Sequence, residues 1–239
     1  MVPVTAVVKR EREVSGAYRQ GLAHRDAGWV FSTNFALYRT DDALVEVAKN
    51  EAAIPQEWLD KGYNHIGDID IVGNVIYAPV EQPDTDRGRQ AMFRFDATTL
   101  QFIDAVEVAQ HHNSFVSVDP DTMIAYTTDF FDDDALLRYD VSKGWARLDP
   151  IAFRRKVGHI QGGDLAVGAF WLSTDDDHDG VYRIDLSTGQ TDDLGSIGHI
   201  DGEGEGIDAT PGADGVLHVI SIDAKLLPVR LVELDVAPR

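Results

Sequence analysis

Four histidines recur at nearly even intervals along this 239-residue chain: His65, His112, His159 and His199, spaced 47, 47 and 40 residues apart. Each lies in a similar lead-in to a strand. The segments read Asn64-His65-Ile66-Gly67-Asp68-Ile69-Asp70, His111-His112-Asn113-Ser114-Phe115-Val116, Gly158-His159-Ile160-Gln161-Gly162-Gly163-Asp164-Leu165, and Gly198-His199-Ile200-Asp201-Gly202-Glu203-Gly204-Glu205-Gly206-Ile207. Imidazoles and carboxylates brought to one axis are what a divalent cation needs, and several histidines select a transition metal over calcium. If the oxygen donors of Asp68, Asp164, Glu205, Asn113 and Gln20 line the centre instead, calcium or magnesium is the expected ion.

Glu203 and Glu205 alternate along one extended stretch and so share a face, with glycines on either side that let backbone or ligand approach. The expected division of labour makes Glu205 a metal ligand and Glu203 the general base, acting on a metal-bound water. A structural explanation competes for each group. Histidine and aspartate at tight connections hydrogen-bond neighbouring backbone, and a glycine-rich strand can mark close packing alone. The other histidines have simpler explanations: His178 in an acidic loop, His218 within a strand, His111 beside His112, and His24 on the far side of its strand's start.

A period in the forties is the mark of a propeller blade. Apolar runs follow each lead-in: Trp29 to Asn34, Val75 to Val80, Met123 to Thr128, Phe170 to Thr174 and Val216 to Ile222. A third element ending in aspartate recurs as Phe93-Arg94-Phe95-Asp96, Leu137-Arg138-Tyr139-Asp140, Tyr182-Arg183-Ile184-Asp185 and Leu231-Val232-Glu233-Leu234-Asp235, and survives in the first unit as Ala36-Leu37-Tyr38-Arg39. Fourth strands are fainter, Phe102 to Val108 being the clearest. The expected fold is therefore all-β: a single domain forming a five-bladed β-propeller, with blades of roughly 16–61, 62–110, 111–157, 158–197 and 198–239 plus 1–15. The last unit holds only three strands, so the N-terminal strand from Val4 is expected to close it and remove its open edge. The stretch from Ala48 to Lys61 is expected to be a short helical insertion rather than a strand.

Propellers bring the start of each inner strand to the central axis. Anchoring the units on Leu22, Ile69, Val116, Leu165 and Ile207 sets Gln20, Gly67, Ser114, Gly163 and Glu205 at one level, with the histidines nearer the mouth. Acidic residues directly after second strands, Asp129 with Asp132 to Asp134 and Asp175 to Asp177 with Asp179, are expected on the histidine face, making that end suited to a cation. Trp29, Tyr63 and Phe130 are candidate walls.

Composition narrows the partners. With 41 acidic against 21 basic residues, a net charge of −20 excludes nucleic acid and anionic membrane surfaces, which need clustered Lys and Arg. No apolar run is long enough to span a bilayer. The start of the chain lacks a basic segment followed by an apolar stretch, which points to a cytoplasmic protein, although a processed secreted form would read the same. Absence of cysteine excludes disulfides, thiolate nucleophiles and Cys-based metal sites. No phosphate-binding loop, dinucleotide fingerprint, nucleophile elbow or His-Glu-x-x-His appears.

Gln20-Gly21-Leu22-Ala23-His24-Arg25-Asp26 with Trp29, the segment from His65 to Asp70, and Glu203-Gly204-Glu205-Gly206-Ile207 resemble the inner-strand motifs of the broad gluconolactonase, paraoxonase and esterase-like group of propellers. That resemblance implies a channel cation, often calcium, held here by Glu205, Asn113 and Asp164, and hydrolysis of a lactone or ester. Five units in place of six, and the extra histidines, depart from the group's pattern. The resulting expectation is a metal-dependent enzyme acting on a small molecule. Its alternative is a non-catalytic propeller that binds a ligand or protein around a structural ion.

Overall fold

The computed structural model describes residues 4–25, 28–82, 84–130, 134–166, 168–197, 202–209, 216–223 and 228–238. Its strands form five antiparallel sheets, the blades of a five-bladed β-propeller. Blade one runs Gly21–His24, Gly28–Ser32, Leu37–Asp41 and Glu46–Asn50 from the axis outwards. In blade two the inner strand is broken into His65–Ile66 and Asp70–Val72, both paired with Val75–Glu81, followed by Gln90–Asp96 and Phe102–Val108. Ser117–Val118, Ile124–Thr127, Ala135–Asp140 and Ala146–Ala152 build blade three. Blade four comprises Ile160–Ala166, Ala169–Thr174, Gly180–Ile184 and Thr191–Ser196.

Blade five is closed by the other end of the chain. Gly202–Asp208, Val216–Asp223 and Val229–Pro238 come from the C-terminal part, and Val4–Val14 pairs antiparallel with the last of these, from Val4 opposite Pro238 to Val14 opposite Val229. The helical insertion is shorter than expected. Only Gln56–Leu59 is helical, and Glu46–Asn50 is the outer strand of blade one, overlapping the start of a stretch read as non-strand. Its alternation of exposed and half-buried residues carries too little apolar signal for a sheet edge to be legible.

Blade-to-blade packing explains the apolar runs. Each of five core clusters among the described residues joins two neighbouring blades: Val30 and Leu37 meet Ile66 and Phe93, Met92 meets Leu137, Phe115 meets Phe170, Trp171 meets Val219, and Phe31 meets Leu231. The last two involve blade five, so the ring is sealed by hydrophobic burial as well as by strand pairing.

The aspartates that end third strands have a local cause. Asp96 Oδ1 accepts the backbone N–H of Thr98 at 3.0 Å and of Thr99 at 2.7 Å, and Asp185 Oδ1 accepts those of Ser187 at 2.9 Å and Thr188 at 3.0 Å. These side chains fold the connection to the fourth strand by replacing a backbone acceptor. In blade four, Gly189 completes the turn at φ 69°, where an added Cβ would collide with the carbonyl of Ala152. Replacing Asp185 by Ala is expected to lower stability by about 1 kcal/mol, the usual worth of such a cap. Urea unfolding checks this, and an unchanged midpoint would show that the turn forms without it.

Candidate active site

The axis is held by one side chain. Asp68 breaks the inner strand of blade two and turns its carboxyl group into the channel, where Oδ1 accepts the N–H of Leu22 and of Ile69, each at 3.1 Å. Oδ2 accepts those of Gly163 and Ile207, each at 3.2 Å. One carboxyl group thus ties four blades together. Glycine at Gly21 follows from it, because a Cβ there would lie 2.8 Å from Asp68 Oδ1, and at Gly206 the approach is closer still. Burial pushes the Asp68 carboxyl well above its ordinary range, while the N–H groups of Ile207, Leu22 and Gly163 pull it back.

These bonds also fix the level of each blade. Gly163, rather than Leu165, stands beside Leu22 and Ile207, so the alignment on aliphatic anchors slips by two residues in blade four. At that level the Phe115 ring occupies the space a side chain at Gly163 would fill. The shift places Gln161, not Gly163, beside Gln20 and Glu205 at the mouth.

Deeper than Asp68 lies a second acidic level. Asp164 accepts the N–H of Ala209 at 2.7 Å and the hydroxyl of Ser117 at 3.1 Å, Asp70 accepts the N–H of Val118 at 2.6 Å, and Asp208 accepts that of His24 at 2.8 Å. Each bond crosses from one blade to another. Burial pushes Asp70 up to about 7, with the neighbouring charge of Asp164 adding to it, and burial raises Asp164 as well. The folded state therefore binds these protons more tightly than the unfolded chain does. The stability they carry is complete below the ordinary carboxyl pKa and is lost as pH rises towards 7, by about 4 kcal/mol for Asp70 at 1.36 kcal/mol per unit. Unfolding free energy in urea should fall between pH 5 and 7.5 and fall less steeply in Asp164→Asn; equal slopes would contradict the coupling.

Towards the mouth the channel opens into a cavity of about 310 Å³ lined by Gln20, His65, Glu81, His112, Ser114, Phe130, Gln161, Glu203 and Glu205 among others. His65 Nε2 lies 2.5 Å from Gln20 Oε1, and its burial lowers the imidazole pKa, keeping it neutral. His112 Nδ1 lies 2.5 Å from Glu81 Oε1, which also accepts the N–H of Asn113 at 2.7 Å. His159 stands at the rim, Nδ1 3.0 Å from the carbonyl of Asp175, and its ring stacks on Phe130 at 5.1 Å, with His112 5.2 Å away on the same phenyl ring. His199 lies outside the described residues. Asn113 is buried and directs its amide to the carbonyl of Ala91 at 3.0 Å, away from the cavity.

Glu205 is the most unusual group in the wall. It is 5% exposed, and its carboxyl is pushed well above the ordinary range, first by burial, then by the charge of Glu203 and a hydrogen bond to it, then by Asp175 and Asp68. The two carboxyl groups stand close enough in the cavity wall to raise the proton affinity of Glu205, because two like charges side by side disfavour ionising both. Asp175 is raised too, by burial and by Glu203. Glu81, Asp175, Glu203 and Glu205 make the mouth rich in acidic side chains, whereas Asp132 and Asp133 of the expected acidic loop lie outside the described residues.

Three residues of the sequence-derived set therefore share the cavity wall with Glu203 and Glu205: Gln20, His65 and His112. Asp68 forms its floor, Asp164 lies beneath that, and His159 and Asn113 are turned elsewhere. Glu81 and Gln161 were missed. Glu81 directly follows an apolar second strand, the rule that singled out Asp129 and Asp175, and Gln161 was hidden by the register slip. Of the three candidate aromatic walls Phe130 lines the cavity, whereas Tyr63 is buried between blades one and two, and Trp29 faces another pocket. Among the described residues, no three His, Asp or Glu side chains are grouped as ligands of one ion. No helix there is long and apolar enough to cross a membrane.

No protein-family model and no curated protein matches this sequence. Solved structures do. Glutaminyl cyclase from Myxococcus xanthus superposes with a TM-score of 0.72 at 16% identity, covering 99% of each chain. The PQQ-bound aldose sugar dehydrogenase of Streptomyces coelicolor gives 0.60 at 11% identity, again over 99% of each chain. A luciferin-regenerating enzyme gives 0.59 at 12% identity, covering 91% of this chain and 76% of its own. At these identities the likeness establishes a common β-propeller fold, and fold alone does not carry function.

Proposed function

We propose that the mouth cavity is the active site of an enzyme that moves protons during acyl chemistry on a small, amine-bearing substrate, with Glu203 and Glu205 as the proton carriers. The observation that supports this is the placing of Glu203 and Glu205 side by side in the cavity wall, with Glu205 buried. A pair that holds one proton has a base and an acid side by side: Glu203 takes a proton from an attacking nucleophile, and Glu205 gives one to the leaving group. Passage of the proton from Glu203 back to Glu205 then returns the pair to its starting state. The negative mouth favours a cationic amine, and the carboxamides of Gln20 and Gln161 offer both donor and acceptor to a substrate amide.

The substrate chemistry that uses all of these groups is closure of an N-terminal glutaminyl residue, the activity named for the M. xanthus neighbour. After the bound α-ammonium gives its extra proton to water, its neutral nitrogen bonds to the side-chain amide carbon, the bond from that carbon to the amide nitrogen breaks, and ammonia leaves. One proton passes from amine to Glu203 and one from Glu205 to the departing nitrogen, so atoms and charge balance. Hydrolysis of a lactone or ester, implied by the motif resemblance, needs the same proton transfers with water as nucleophile but gives the amide-binding groups no role.

The cation expected from the sequence finds no grouped ligand set among the described residues, where His65, His112 and Asp68 each face other partners. No step here runs through an ion. Finding about one divalent ion per chain by elemental analysis, with its loss in Glu205→Gln, would restore that expectation.

The test is direct. Purified protein incubated with a glutaminyl dipeptide should release ammonia and consume the free amine, while short lactones turn over slowly or not at all. Lactone hydrolysis without ammonia release would replace the cyclisation reading. Binding of the dipeptide without turnover of any compound would favour the non-catalytic propeller.

A further inference from the structure

A second pocket, of about 340 Å³, opens at the opposite end of the fold between blades one and two. It lies where the inner strand Gly21–His24 ends, so the closed channel at Asp68 separates it from the mouth. Arg39 and Arg25 line it with Trp29, Val30 and Ile71. In a chain of net charge −20 two guanidinium groups in one concavity are out of keeping with the surface, and one of them is unspent.

Arg39 is half-buried, its Nε is shielded from solvent, and its guanidinium has no hydrogen-bond or ion-pair partner among the described residues. Other half-buried arginines are engaged: Arg12 with Glu233, Arg94 with Asp104 and Arg183 with Asp192. Acids on the neighbouring strands and turns have other hydrogen-bond partners and none is paired with Arg39 among the described residues. Asp41, which also lines the pocket, accepts the N–H of Val45 at 2.9 Å, and Asp96 is occupied by Thr98, Thr99 and the amide of Asn74 at 2.7 Å. Arg39 is also anchored where an ordinary surface arginine is not. It stands opposite Val30 and Ala48 in its sheet, on the face of blade one that packs into the core shared with blade two.

A shielded guanidinium without a carboxylate partner is costly to keep, and its planar fork matches the oxygens of a carboxylate or phosphate. Beside it the pocket is walled by Trp29 and Val30, both almost fully buried, and by Ile71. We infer that this inter-blade pocket binds a small organic anion, a carboxylate or phosphate monoester on an apolar body, with Arg39 gripping the oxyanion and the Trp29 side taking the apolar part.

Isothermal titration of the full chain with benzoate, phenyl phosphate and inorganic phosphate tests this. One of the two aromatic anions should bind saturably, at least tenfold more weakly in Arg39→Gln and to an intermediate degree in Arg39→Lys, which keeps the charge and loses the fork. Which aromatic anion binds more tightly separates a carboxylate from a phosphate source. Thermal melting without ligand confirms that the variants fold, and turnover at the mouth should be unaltered in both. The inference is overturned if neither aromatic anion binds, if Arg39→Gln binds them as well as the parent protein, or if inorganic phosphate binds as tightly as the aromatic anions.

Discussion

Removal of residues 1–14 should leave a chain that aggregates and shows no cooperative melting. Those residues supply the outer strand of blade five, paired with Val229–Pro238 along its whole length. They also carry Val4, Ala6 and Val8, which pack against the cluster containing Leu217, Val232 and Leu234 between blades four and five. Each strand hydrogen bond is worth about 0.5–1.5 kcal/mol net, and the partly buried valines add a fraction of the roughly 1.5–3 kcal/mol of a fully buried one. Together they approach the entire stability of an ordinary domain, about 5–15 kcal/mol. The loss would also bare the 229–238 strand as an unpaired apolar edge, a template for association. Circular dichroism melting and size-exclusion chromatography read the outcome. A truncated monomer that melts at the parent's temperature would contradict closure by the N-terminal strand.

Glu203→Gln and Glu205→Gln should each lower kcat by roughly 10² to 10⁴, the usual worth of a general acid or base. KM should change little, because a carboxamide keeps the size and one hydrogen bond of the group it replaces. Stability should hold in Glu205→Gln especially, since burial disfavours the charged form of the native group and Gln replaces it with a neutral side chain of the same size. A drop in kcat with melting temperature retained separates proton transfer from packing. Unchanged kcat in both variants would make the pair structural and remove the basis of the proposed chemistry.

The architecture was legible because its signals are local and repeated. Apolar second strands, Asp-ended third strands and a three-strand last unit lead to five blades and a strand from the N-terminus, since one hydrophobic face per strand recurs in each unit and an Asp-folded turn in blades one to four. The outer strand Glu46–Asn50 was not legible, because a sheet edge facing solvent has no apolar period to show. The site was half legible. Recurrent position brought Gln20, His65, His112, Glu203 and Glu205 to one wall, yet position says nothing of what a side chain bonds. Asp68 spends its carboxyl group on four N–H donors, and Asn113 turns to Ala91. Gln161 takes its level from where blade four packs on its neighbours, with Gly163 against the Phe115 ring of a different blade, and no pattern within blade four records that.

The central claim is that Glu203 and Glu205 hold a proton between them at neutral pH, and infrared spectroscopy sees that proton directly. The difference spectrum between the parent protein and Glu205→Gln at pH 7 should show the carbonyl stretch of a buried protonated carboxyl group, lost in the variant and shifted in deuterium oxide. A difference spectrum with only ionised carboxylate bands would mean that both groups are charged, and the proton-carrying pair would have to be abandoned.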